Sequence, residues 1–114
     1  MSGITSHVLD TSAGRPAAGV PVVLERSAGA ERWETLGQTE TDSDGRARTL
    51  MAADEVLQPG IFRLTFDTQT YFARSQTATF YPRISIVFEV VGAEQHYHVP
   101  LLVSPFGYST YRGS

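Results

Sequence analysis

The chain has 114 residues, 41% of them apolar, and a formal net charge of −3. That describes one domain able to bury a core, with no basic stripe to draw in nucleic acid or an anionic membrane. There is no cysteine, which excludes disulfides, thiolate nucleophiles and cysteine-type zinc sites, and all nine basic residues are arginine, which excludes Schiff-base chemistry.

Short strands between turn signals dominate the chain. Ile4–Asp10 reads as a first strand, closed by the turn-rich TSAGRPAAG. Val20–Arg26 alternates, with Val20, Val22 and Leu24 on one face. Arg32–Thr41 is a third strand and runs into the Asp42–Gly45 turn, DSDG. Leu50–Gly60 holds helix formers before a Pro-Gly stop and allows one or two helical turns. Ile61–Asp67 sets Phe62, Leu64 and Phe66 on one face. Thr68–Gln76 reads as a short helix with Tyr71 and Phe72 inward. Ile84–Val90 aligns Ile84, Ile86, Phe88 and Val90. A GAE turn leads to Gln95–Val103, and Phe106–Arg112 is the last strand. The spacing predicts an all-β, antiparallel two-sheet sandwich, with residues 1–114 as a single domain. No apolar run is long enough for a bilayer span, and MSGITSHVLD has neither the charged nor the apolar region of a signal peptide. The expected compartment is the cytoplasm. Neither glycine-rich nucleotide-binding pattern occurs.

Three histidines carry the first chemical signal. His96 and His98 lie two apart on a strand and so share a face, with Pro100 beside them. A proline there marks an edge or a bulge. His7 sits in the first strand. An isolated strand histidine is more often a solvated side chain than a working one. A His-x-His pair with a third histidine is also a zinc pattern, but no Asp or Glu stands beside it at ligand spacing. Acid/base work near neutral pH is the remaining functional reading. The DSDGR turn begins like a calcium loop but lacks the closing glutamate. It is read as a tight turn presenting Arg46, with Arg48 as solvated surface. No G-x-S-x-G elbow occurs, and Trp33 is assigned to core or rim.

Three stretches together carry a resemblance: SHVLDTSAGRPAAGVPV, the DSDGR turn, and YHVPLLVSPFGYSTYRGS. They resemble the transthyretin-related proteins, and within them the 5-hydroxyisourate hydrolases. The terminal YRGS and the histidine of HVPLL separate that enzyme branch from the hormone carriers. The resemblance spans nearly the whole chain, including FRLTFDT and FYPRISIVFEV.

It implies a transthyretin-like sandwich of two four-stranded antiparallel sheets with one short helix, assembled as a homotetramer, a dimer of dimers, with sites in the inter-dimer channel. It implies cofactor-free, metal-free hydrolysis of 5-hydroxyisourate to 2-oxo-4-hydroxy-4-carboxy-5-ureidoimidazoline. Carried over by motif, the catalytic residues are His7, Arg46, His98 and Ser114. The substrate-binding residues are His7, Arg46, Tyr111, Arg112 and Gly113. His7 and His98 form the acid/base pair with their order open, Arg46 orients the anionic ring, and Gly113 makes a bend where a Cβ would collide. Ser114 brings a hydroxyl near the histidines, so a tag after it or loss of the last four residues should abolish turnover. His96 is read as strand surface. Leu101, Leu102, Pro105 and Phe106 are expected at the inter-dimer contact. The alternatives are a non-catalytic transthyretin-like carrier of a small ligand, a structural sandwich and a zinc-dependent hydrolase.

Overall fold

Alternation of buried and half-exposed residues organises the fold, because successive strand side chains point to opposite faces. The computed structural model describes residues 3–92 and 94–114, so Ala93 of the expected GAE turn lies outside the described residues. The strands are β1 (Gly3–Asp10), β2 (Arg15–Pro16), β3 (Pro21–Gly29), β4 (Arg32–Glu40), β5 (Arg46–Ala47), β6 (Gly60–Phe66), β7 (Ile84–Val90), β8 (His96–Ser104) and β9 (Gly107–Thr110). One helix, α1 (Thr68–Ala73), falls between β6 and β7.

Two sheets face each other. The first has the order β2-β1-β8-β9, with β5 also on β1; the second has the order β4-β3-β6-β7. The all-β sandwich with one short helix is the expected architecture, with two differences of detail. β1 runs parallel to β8, with Thr5 opposite His98 and His7 opposite Pro100. The first sheet counts five strands because the short β2 and β5 share the outer edge of β1. Antiparallel ladders join the other strand pairs.

The core is the inner face of both sheets. From the first come Ile4, Val8, Tyr97, Val99, Leu101 and Val103; from the second come Val22, Leu24, Phe62, Leu64, Phe66, Ile84 and Ile86. In register, Leu24, Leu64 and Ile86 form one row across three strands, as the alternation predicted. Burying each such side chain contributes about 2 kcal/mol.

The helix begins on a cap. Asp67 Oδ1 accepts from the Thr70 amide at 3.1 Å, satisfying a donor that the first turn leaves unpaired. Phe72 is buried, and Tyr71 packs edge-on against it at 5.0 Å. The Tyr71 hydroxyl reaches Asp10 Oδ2 at 2.7 Å and ties the helix to β1. Asp10 is buried and also accepts from the Ser12 hydroxyl and the amides of Ser12 and Ala13.

Of the Leu50–Gly60 segment, residues 50–59 form a loop rather than a helix and Gly60 opens β6. One i→i+3 bond, Glu55 to the Ala52 carbonyl at 2.9 Å, makes a single turn. Leu50 and Leu57 are both buried in the core while Val56 is 65% exposed, and the Pro59-Gly60 pair closes the segment. Trp33 lies on the rim, under the Arg63 guanidinium at 4.2 Å from the ring centroid. No helix among the described residues is long and apolar enough to cross a membrane.

Candidate active site

The outer face of the first sheet collects the chemistry. The alternation that buries Ile4, Ser6 and Val8 turns Thr5 and His7 outward, and the same parity on β8 turns His96, His98 and Pro100 outward. The parallel register then sets Thr5 beside His98. A hydroxyl that sequence reading passed over stands between two imidazoles. Thr5 Oγ1 lies 2.8 Å from His98 Nδ1 and 2.9 Å from His96 Nε2.

Arg46 arrives from the other edge of β1. The DSDG turn closes through Gly45 N–H to the Asp42 carbonyl at 2.8 Å. Asp42 Oδ1 accepts from the amides of Asp44 and Arg46. The Arg46 amide, foremost, holds the Asp42 carboxyl below its usual value. Gly45 has a φ of +77°, and a Cβ there would lie 2.5 Å from the Val8 carbonyl oxygen, so the turn needs glycine. β5 then pairs Arg46 with His7.

A polar pocket of about 370 Å³ opens on this face, within the size range of small-molecule sites. Arg46, His98 and Ser114 line it together with Thr5, Ser6, Arg48 and His96. Three of the expected site residues therefore meet there. His7 stands beside them on β1 with its imidazole toward the turn, where Nε2–H donates to the Asp44 carbonyl at 2.8 Å. Tyr111 and Arg112 line a neighbouring apolar cleft of about 230 Å³ between β7 and the end of the chain. There Arg112 donates to Gln95 Oε1 at 2.9 Å and lies over the Tyr97 ring at 4.7 Å. His98 borders both cavities.

Gly113 is held against His98. Its amide donates to the His98 carbonyl at 2.8 Å, and a Cβ on it would sit 2.6 Å from His98 Cδ2 and 3.2 Å from Pro100 Cγ. This bridge continues the β8–β9 register across a gap opposite Pro100. Proline has no amide to give at that rung, and its carbonyl is taken by the Thr110 hydroxyl at 2.7 Å. The proline signal thus marks an interrupted ladder inside a sheet rather than an outer edge.

Electrostatics favour anions and a neutral His98. Burial first, then the Arg46 guanidinium and the neighbouring His7 and His96 rings, hold the His98 imidazole below its ordinary value. A neutral imidazole with one free ring nitrogen can take a proton from water. Arg46 offers a planar fork of donors. Arg48, read as plain surface, lines the pocket while keeping a loose pair with Asp42 at 3.7 Å. His96 is exposed yet bonded into the site through Thr5. Thr5 shows no sequence signal of its own, because only the parallel β1–β8 register puts it between the histidines. Among the described residues no group of three His, Cys, Asp or Glu side chains is arranged to hold a metal ion.

The model of the HIUase/Transthyretin family matches residues 4–113. The chain is 48% identical to the 5-hydroxyisourate hydrolase of Caulobacter vibrioides over the full length of both. It is 45% identical, over 97% of its length, to the uric acid degradation bifunctional protein of Arabidopsis thaliana, and it spans 37% of that longer protein. The solved 5-hydroxyisourate hydrolase of Klebsiella pneumoniae superposes with a TM-score of 0.85 at 40% identity, covering 100% of this chain and 94% of that one. A sea bream transthyretin in complex with thyroxine superposes with a TM-score of 0.89 at 26% identity, covering 96% and 93%.

Proposed function

The chain belongs to the HIUase/transthyretin family, and on that footing we propose that it is a 5-hydroxyisourate hydrolase. It opens the ring at a cyclic amide C–N bond to give 2-oxo-4-hydroxy-4-carboxy-5-ureidoimidazoline, a step of urate degradation. The observation that carries this reading is the convergence of Arg46, His98 and Ser114 in one polar pocket.

The chemistry follows from the groups present. The substrate is a flat, acidic heterocycle bearing carbonyls. Arg46 binds its carbonyl oxygens and takes up charge as the ring carbonyl becomes tetrahedral. His98, kept neutral, accepts a proton from water as its oxygen bonds to the carbonyl carbon. The C–N bond then breaks, and the ring nitrogen leaves with a proton. His7 is the complementary donor: its Nε2 hydrogen is engaged by Asp44, so the proton it delivers sits on Nδ1. Ser114 adds a hydroxyl at the pocket wall. Tyr111 and Arg112 belong to the substrate site in this reading once a second copy closes the face. No cofactor takes part.

The reading includes a cytoplasmic homotetramer, a dimer of dimers, with the pocket at the contact between dimers. Phe106 is 70% exposed, and Leu102 and Pro105 are half-buried. Leu101, expected with them, is fully buried in the core and takes no part in such a contact.

The test is the ultraviolet decay of freshly generated 5-hydroxyisourate with and without the protein. Decay faster than the spontaneous rate is the expected result. Saturable binding of the ring without faster decay overturns the enzyme reading in favour of a carrier. Sedimentation at micromolar concentration tests the assembly, with a tetramer expected and a monomer contradicting it.

A further inference from the structure

Thr5 sits where a single hydroxyl must serve two imidazoles. Its oxygen is 2.8 Å from His98 Nδ1 and 2.9 Å from His96 Nε2. A hydroxyl has one hydrogen to donate and lone pairs to accept. It can donate to only one of the two rings, and the arrangement that uses its hydrogen between them, donating to one ring and accepting from the other, puts the two facing ring nitrogens in opposite states. If His98 Nδ1 carries the hydrogen and donates to Thr5, then Thr5 donates to a bare His96 Nε2. His98 Nε2 is then a lone pair. The reverse order would put a hydrogen on His98 Nε2 and remove its capacity to accept a proton.

The surroundings favour the first order. The charged and titratable groups around His98 are Arg46 from β5, Arg48 just beyond it, His7 from β1 and His96 from its own strand, with Glu89, Tyr111 and Arg112 along the cleft on its other side. Arg46 and Arg48 are permanent cations on the same pocket wall, and a cation favours a lone pair over a second N–H dipole. Among the described residues no protein group bonds His98 Nε2. His96 is exposed, so charge placed on it is hydrated by water.

We propose that Thr5 is a positioning residue that fixes the His98 tautomer and relays the proton His98 accepts to His96. The step balances. Water gives a proton to His98 Nε2, and His98 Nδ1–H passes its own to Thr5 Oγ1. The Thr5 hydroxyl proton moves to His96 Nε2. His98 ends neutral, His96 ends as imidazolium with hydrogens on both nitrogens, and His96 releases its proton to solvent. The inference rests on the hydrolytic reading of the pocket, but the tautomer assignment does not.

The experiment uses the protein with 15N-labelled histidine and long-range 15N–1H NMR of the rings, at a pH where all three are neutral. The expected result is His98 with hydrogen on Nδ1 and a bare Nε2. Thr5→Ser keeps that pattern, and Thr5→Val gives His98 a mixture of tautomers. Hydrogen on His98 Nε2 in the wild type, or an unchanged pattern in Thr5→Val, overturns the proposal. Steady-state turnover of 5-hydroxyisourate supplies the second readout. Thr5→Val should lower kcat by about 10-fold or more with KM unchanged, and Thr5→Ser should restore it, since positioned proton transfer contributes about 10²–10⁴. Equal kcat in Thr5→Val and wild type overturns the relay. The NMR result is read without substrate and decides the tautomer whatever the turnover.

Discussion

Gly113→Ala perturbs His98 without altering any group that titrates. A Cβ at 113 would lie 2.6 Å from His98 Cδ2 and 3.3 Å from Cγ. Carbon atoms in contact prefer about 3.5–4 Å, so the ring must retreat by about 1 Å or the terminal segment must swing away. If the ring retreats, it is driven toward Thr5 on the β1 side, where the bond is already 2.8 Å, so the ring must turn out of that hydrogen bond. If the segment swings, the bond from the Gly113 amide to the His98 carbonyl breaks and Ser114 leaves the pocket. Either route costs one hydrogen bond, about 1 kcal/mol of stability. Displacing a reacting group by about 1 Å costs about 10²-fold in rate. The expected outcome is a protein that melts within a few degrees of wild type and turns over 5-hydroxyisourate about 100-fold more slowly. Initial rates at saturating substrate, alongside a thermal melt, measure both. Wild-type kcat in Gly113→Ala would refute the claim that His98 is held in place by the terminal segment.

Three more outcomes follow from the same contacts. Gly45→Ala should destabilise the fold by about 2 kcal/mol or more, measured by denaturant unfolding, because the new Cβ meets the Val8 carbonyl at 2.5 Å on a positive-φ backbone. Tyr71→Phe should cost about 1–3 kcal/mol in the same assay, since it deletes a hydrogen bond to a buried carboxylate. It should also change the pH dependence of stability at both ends. Burial works against the Asp10 charge, but bonds from Ser12, Tyr71 and Ala13 overcome it and hold its carboxyl below the usual value. That stability is present above the unfolded value and lost as pH falls through the folded one. Burial first, then Asp10, pushes the Tyr71 hydroxyl up to about 12, so its share is lost as pH rises toward that value, and Tyr71→Phe should flatten both limbs. Arg46→Gln should move the acid limb of the residual kcat/KM profile to higher pH. It removes the guanidinium charge that helps hold His98 below its ordinary value, and activity needs the neutral ring; an unmoved limb would contradict this.

Much of the fold was legible in residue parity. The alternation of Val20, Val22 and Leu24, of Phe62, Leu64 and Phe66, and of Ile84, Ile86 and Val90 reappears as the buried face of the second sheet. That pattern needs no tertiary information, because one-sided burial writes it into each strand. What alternation cannot report is which strands meet. The parallel pairing of β1 with β8 joins segments about ninety residues apart, and it alone brings Thr5 between His96 and His98. The Leu50–Gly60 segment has a composition that suits a helix, yet among its residues only the Glu55–Ala52 turn forms, with Leu50 and Leu57 buried in the core. For the candidate site, the motifs named Arg46, His98 and Ser114, which share the polar pocket. They did not separate Tyr111 and Arg112, which the segment after β9 places against Tyr97 and β7 in the single chain.

The central claim is that hydrolysis runs on the pocket where His98 meets Arg46. The most direct measurement is the initial rate of 5-hydroxyisourate decay with His98→Gln beside wild type, after subtraction of the spontaneous rate and with matching thermal melts. The account predicts acceleration by wild type and a loss of about 10²–10⁴-fold in the variant, the range for a removed general base. A variant as fast as wild type would place the chemistry elsewhere and contradict it.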